Sequence, residues 1–165
     1  MPSCTYFKTF MLMLCLLLSG AANSAFSASK DPERILLSLS DEPEFTFTMP
    51  IKSSVRFSLL TTGRSAETRE HLMGSITISD QDCALGHQVS IRYEKKRDEI
   101  LTTYFSKEIP WGTTYTLKVS RDAKTDAITV NLNGEIISVK TYEKVKFISL
   151  VKNPSDINIL NIKKN

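Results

Sequence analysis

Between Trp111 and Thr141 the chain reads WGTTYTLKVSRDAKTDAITVNLNGEIISVKT, a pattern of period two that fixes the class of fold. Tyr115, Leu117 and Val119 alternate with Thr114, Thr116 and Lys118, and Ile128, Val130 and Leu132 alternate with Thr129 and Asn131. Successive side chains of a strand point to opposite faces, so each run offers one apolar face to a core and one polar face to water. Asn133-Gly134 follows the second run. Both residues accept the positive φ that a type I′ turn demands, so the dipeptide predicts a tight hairpin. The segment is therefore expected to form a meander of antiparallel strands.

The same pattern recurs upstream, at Ile35–Leu39, Phe45–Met49, Val55–Leu60, Ser75–Ser79, Gln88–Glu94 and Ile100–Phe105. Downstream, Lys144–Leu150 sets Val145 and Phe147 between lysines, and Asp156–Ile162 sets Ile157 and Ile159 against Asn158 and Leu160. Turn residues separate these runs: Asp41-Glu42-Pro43, Thr62-Gly63, Leu85-Gly86 and Asn153-Pro154. Many short strands of even spacing predict an all-β fold, an antiparallel two-sheet β-sandwich or jelly roll. Ser65–Leu72 has a helix-compatible composition, yet Gly63 and Gly74 bracket it and its apolar residues lack helical spacing.

The N-terminal residues follow another logic. Met11–Leu18 are the centre of an apolar run that follows Lys8 and ends in the small residues of Ser19–Ser24. This is the pattern of a signal peptide, expected over residues 1–25 with cleavage between 22 and 28, a flexible leader over 26–33, and a single sandwich domain over 34–165. The run is shorter than the roughly 20 residues a membrane-spanning helix needs. The expectation is a secreted or periplasmic protein with no membrane span, soluble after cleavage. Cys4 and Cys15 leave with the signal, so Cys83 alone remains and no internal disulfide forms. One unpaired cysteine leaves an intermolecular bridge open, and the sequence does not fix the oligomeric state. Loss of Lys8 leaves 20 basic residues against 18 acidic ones, a balance that carries no signal for nucleic acid. The basic residues Lys95–Arg97 lie beside Glu94, Asp98 and Glu99 and read as a solvated hairpin tip.

Chemistry is sparse. Only His71, His87 and Cys83 are available as soft metal ligands, and Cys83 and His87 fall in what reads as a loop between strands. Ser79-Asp80-Gln81-Asp82 lacks the glycine and closing glutamate of a calcium loop and reads as a solvated turn. No metal, no cofactor and no catalytic residue is expected. Tyr93 and Tyr104 read as cross-strand packing residues with the hydroxyl at the rim, and Trp111 as the closure of a core edge.

One resemblance reaches further. RSAETRE, Arg64–Glu70, is similar to the arginine- and glutamate-bearing strand motif of family 7 polysaccharide lyases, the alginate-lyase group built on a concanavalin-like jelly roll. Ile78–Cys83 falls where that family carries Gln-X-His, VSIRYEK follows as the next strand, and KFISLVKNPSDINILNI resembles the family's Tyr-Phe-Lys-Ala-Gly-X-Tyr-X-Gln strand and the strand after it. The resemblance implies that Glu67, Arg69 and Gln81 face a uronate carboxylate, which an arginine fork and a neutral amide both suit. One residue is inserted between Arg64 and Glu67, so Ser65, Glu67, Arg69 and His71 share a face and Arg64 points away unless a bulge intervenes.

The catalytic positions differ. Cys83 stands at the motif histidine, Lys152 at the catalytic tyrosine and Pro154 at the closing glutamine. A protonated lysine binds a carboxylate but does not abstract a proton. The resemblance thus implies a lectin-like sandwich that recognises an acidic polysaccharide or related glycan through Glu67, Arg69, Gln81 and Lys152 without cleaving it. Two alternatives remain open: a polyuronate lyase with rearranged catalytic residues, and an envelope adhesion or assembly module with no sugar ligand.

Overall fold

In a computed structural model the period-two runs fold into two antiparallel sheets. The described residues are 33–63, 71–80, 86–106, 108–152 and 157–165, all within the compact unit Pro32–Asn165. The expected signal peptide, and the leader up to Pro32, lie outside them. The larger sheet has seven strands. Its order is β1 (Glu33–Ser38), β11 (Phe147–Lys152), β3 (Ser54–Leu60), β4 (Leu72–Asp80), β5 (Gly86–Lys96) and β6 (Glu99–Tyr104), and the short β7 (Ile109–Pro110) also pairs with β5. The smaller sheet runs β10 (Glu135–Val139), β9 (Ile128–Leu132), β8 (Tyr115–Arg121), β2 (Glu44–Thr48) and β12 (Asn158–Lys163). Apart from a 3-10 turn at Leu39–Asp41, no helix occurs among the described residues. The fold is the all-β two-sheet jelly roll that the alternation predicts.

The apolar halves of the alternation meet between the sheets. From the larger sheet come Val55, Phe57 and Leu59, Ile76 and Ile78, Val89 and Ile91, and Ile148 and Leu150; from the smaller come Phe45, Phe47, Tyr115, Leu117, Val119, Val130 and Leu132, all buried. Phe57 reaches across the gap to Phe45, edge to face at a centroid distance of 5.1 Å, and to Phe47 at 5.8 Å. Tyr115 stacks on Phe47 at 5.1 Å with the rings 6° from parallel. Such aromatic pairs add about 0.5–1.5 kcal/mol each beyond the area they bury.

The turns obey their sequences. Asn133 and Gly134 take φ of 49° and 91°, as a type I′ turn requires. Asn131 Oδ1 accepts from the Gly134 amide at 2.9 Å, and Asn133 Oδ1 accepts from the Thr116 amide at 2.7 Å, which ties the hairpin tip to β8. The β5–β6 hairpin turns at Asp98, φ 63°, whose amide donates to Glu94 Oε1 at 2.8 Å. Lys95, Lys96 and Arg97 are exposed there, the solvated tip read from the charges.

Some elements depart from expectation. Phe147 does not share a face with Val145: Val145, Ile148 and Leu150 are buried, whereas Phe147 lies on the other side of its strand near Gly63. The stretch before Phe147 is not strand, so β11 starts at Phe147, three residues after the expected start at Lys144. In β12 an irregularity between Ile159 and Asn161 resets the register, and Ile159 and Ile162 both pack against the core. Ser79 and Asp80 close β4 rather than forming a turn, and Gly86 and His87 open β5 rather than sitting in a loop. The two-residue β7 carries no periodic signal, and Pro110, which has no amide hydrogen to donate, suits such a marginal strand.

Where β4 meets β5, Gly74 leaves no room for a side chain. A Cβ built there lies 2.6 Å from the Arg92 carbonyl oxygen and 3.2 Å from the Tyr93 Cα, both backbone atoms. Gly74→Ala must push two central strands apart and is expected to cost about 2 kcal/mol. Urea unfolding measures it, with Ser120→Ala on the outer face of β8 as a comparison expected to stay within about 0.5 kcal/mol of the parent. Equal midpoints for Gly74→Ala and the parent would contradict this packing.

Candidate outer-face binding site

The core uses up one face of every strand, so chemistry available to a ligand must come from the other. On the larger sheet that face is polar. Antiparallel register places Ser149, Ser58, Ser75, Arg92 and Thr102 in one row across β11, β3, β4, β5 and β6. A neighbouring row holds Arg56, Thr77, Ser90 and Tyr104 across β3 to β6. Arg34, on β1, donates through Nε to Ser149 Oγ at 3.1 Å and extends the first row at its far end. Ser58, Ser75 and Ser149 are nearly enclosed, whereas Arg56, Arg92, Thr102 and Tyr104 stand exposed.

These rows border a depression of about 670 Å³, whose lining includes Arg56, Ser75, Thr77, Ser90, Arg92 and Thr102. Glu94, Asp98 and Ile100 close its β5–β6 end. Neither Arg56 nor Arg92 makes an ion pair or hydrogen bond with another described residue, although Arg92 is two positions from Glu94 on the same strand. Two guanidinia therefore present unengaged donors above a floor of hydroxyls. A guanidinium offers five fixed N–H donors and stays charged, and each hydroxyl both donates and accepts. The arrangement can hold a carboxylate or sulfate and hydrogen-bond a polyhydroxylated chain beside it.

The residues singled out by family order fall almost wholly elsewhere. Glu67 and Arg69, with Arg64, belong to 64–70, and Gln81 and Cys83 to 81–85, all outside the described residues. Lys152 closes β11 opposite Glu33, and its side chain is likewise outside them. Their flanks are placed: His71 immediately precedes β4, its carbonyl accepting from the Thr61 amide at 3.0 Å, and Asp80 and His87 face each other across β4 and β5. Tyr104 corrects its expected role. It is 56% exposed on the outer face, not packed across strands, while Tyr93, on the inner side of β5, does pack against the core. Arg56 and Ser75 carry no motif, and Ser90 and Arg92 lie in VSIRYEK, which the resemblance marks only as a strand. Their only sequence signal is polar residues at alternate positions of strands whose other face is apolar.

His87 does not reach that face. It is 0% exposed, between the sheets at the end of the sandwich, and its Nδ1 lies 2.5 Å from the Tyr115 hydroxyl. Burial pushes its pKa below the usual histidine value, against the opposing pull of Asp80 and the Pro50 carbonyl. Burial also pushes the Tyr115 hydroxyl up to about 12. Trp111 sits half-buried in the turn between β7 and β8, its indole N–H enclosed with no hydrogen-bond partner among the described residues. That placement suits closure of the core edge.

No family model and no curated protein matches the chain. Solved structures do share its fold. An alginate lyase from Pseudomonas aeruginosa superposes with a TM-score of 0.55 at 9% identity, over 74% of this chain and 63% of the lyase. The chain thus spans less than two thirds of that enzyme. A double mutant of congerin II gives 0.54 at 11% identity, and CG-16, a homodimeric agglutinin from chicken liver, gives 0.52 at 10%; both align over 81% of this chain and 100% of their own. At such identities the likeness is one of fold alone, a jelly roll shared with alginate lyases and galectin-type lectins.

The buried imidazole sets a pH dependence. Its folded pKa lies below the unfolded value of about 6.5, so its contribution to stability is complete above that pH and is lost as pH falls from there through the folded pKa, where only the unfolded chain gains a proton. Tyr115 acts at the other end: its contribution is intact below pH 10 and is lost as pH rises toward 12. Urea midpoints measured from pH 8 to pH 5 should decline for the parent and flatten for His87→Gln. An identical decline in both would assign the acid sensitivity to other groups.

Proposed function

We propose that this protein is a secreted or periplasmic lectin-like module that binds an acidic glycan on the outer face of its larger sheet. The observation that carries the reading is the pair of unengaged guanidinia, Arg56 and Arg92, over the hydroxyls of Ser75, Thr77, Ser90 and Thr102 in one depression. Cations without carboxylate partners among the described residues suit an anionic ligand, and closely set hydroxyls suit a ligand that is itself rich in them. Fold likeness to an alginate lyase and to agglutinins is consistent with a saccharide ligand. Glu67, Arg69, Gln81 and Lys152 enter the proposal through the resemblance in sequence order, as further contacts to the same ligand.

A second reading, polyuronate cleavage, is favoured by the lyase among the fold relatives. It separates cleanly from binding. The purified protein incubated with alginate or pectate should produce no rise in the ultraviolet absorbance of unsaturated products, and a steady rise would replace the lectin reading with the lyase. Calorimetric titration with the same polyuronates should show binding that weakens as salt screens the guanidinia. Arg92→Ala, which removes one charge-assisted contact, should weaken that binding about tenfold, and Arg56→Ala similarly. Parent-like affinity in both variants would sink the assignment of this face.

A further inference from the structure

β6 ends the strand order of the larger sheet, and its outer face carries apolar and aromatic surface beside the polar rows. Ile100, Thr102 and Tyr104 occupy alternate positions there, with Ile100 49% and Tyr104 56% exposed. An exposed apolar residue and an aromatic ring along a free edge invite misassociation unless something uses them. Both belong to the surroundings of the same depression: Ile100 lines it, and Tyr104 stands in one lateral row with Ser90, Thr77 and Arg56. The row crosses three strand spacings, so the backbone positions of Arg56 and Tyr104 are about 14 Å apart.

Building on the proposed glycan site, we infer that the saccharide lies across the strands, with its anionic group at Arg56 and Arg92 and the apolar face of a sugar ring further along against Tyr104 on the edge strand. A pyranose ring presents axial C–H bonds on one face and hydroxyls at its rim. The C–H face suits the negative π-face of a tyrosine, and the rim hydroxyls then reach Ser90 and Thr102 on the adjoining positions. The lateral direction follows from the row of Arg56, Thr77, Ser90 and Tyr104, in which charge, hydroxyl and aromatic surface succeed one another from β3 to β6, with Arg92 in the neighbouring row on β5. The distance calls for more than one sugar unit, so the ligand is an oligosaccharide or polymer.

Two probes test this: oligosaccharides of a polyuronate, and the same oligosaccharides with each carboxyl reduced to a neutral hydroxymethyl group. Ring stacking is indifferent to that reduction and a guanidinium contact is not. Tyr104→Ala should weaken both probes about five- to tenfold and Tyr104→Phe neither, while Arg92→Ala should weaken only the charged one. Tyr104 ring protons of the unaltered protein, followed by NMR, should shift with both probes, which needs no variant to fold. Parent-like binding by Tyr104→Ala alongside a loss in Arg92→Ala leaves the glycan site in place but overturns the crosswise placement. A Tyr104→Ala loss confined to the charged probe also overturns it. Concentration-dependent ring shifts without any sugar assign the edge to self-association instead, and failure of both probes to bind the parent protein removes the site and the inference together.

Discussion

Phe57 holds the two sheets together. It projects from the middle of the larger sheet into contact with Phe45 and Phe47 of the smaller, and Tyr115 extends the aromatic stack through Phe47. Because side chains alternate along a strand, fixing Phe57 inward fixes Arg56 and Ser58 outward. The same constraint passes sideways through the register: Ile76 and Ile91 stand level with Phe57 in the core, so Thr77 and Ser75, Ser90 and Arg92 must face out. The polar surface of the larger sheet is thus a geometric consequence of its core. A one-residue slip would bury Arg56 in β3 or Arg92 in β5 and would expose Phe57, Ile76 or Ile91, a penalty large enough to hold the register.

The fold was legible because that alternation is local. The runs around Tyr115, Ile128 and Val55 announce strands without any knowledge of their partners, and Asn133-Gly134 announces the hairpin that joins the Ile128 run to β10. Legibility ends where local pattern conflicts with pairing. Val145 and Phe147 look like one face of a strand, yet the ladder begins only at Phe147 and selects Ile148 and Leu150 for the core. Leu160 looks like part of an alternation that an irregularity beside it interrupts. In each case the deciding fact is which residue lies opposite, and that is not written in the segment itself.

The candidate site was hidden for the same reason. Arg56, Ser75, Arg92 and Tyr104 lie on four strands, and nothing in their spacing joins them. Only the register brings them level. The motifs point instead to Arg64–Glu70, Ile78–Cys83 and Lys152, whose side chains lie largely outside the described residues. Tyr104 was misjudged because a tyrosine in an alternating run looks like packing, whereas its position on an edge strand, facing outward, leaves its ring in solvent.

What the described face can do to a ligand follows from its groups. Arginine keeps its proton across the physiological range, and serine and threonine hydroxyls exchange hydrogen bonds without taking up a proton near neutrality. Cleavage by β-elimination needs a base to remove the proton next to the uronate carboxyl, in addition to a cation that neutralises it. Arg56 and Arg92 meet the second need. The described histidine best placed by its position in a central strand, His87, points into the core and is held against Tyr115 with its charged form disfavoured. The sheet that makes this face also turns its imidazole away from it, so the described rows offer cations and hydroxyls to the proposed ligand, and any base for cutting it would have to come from beyond them.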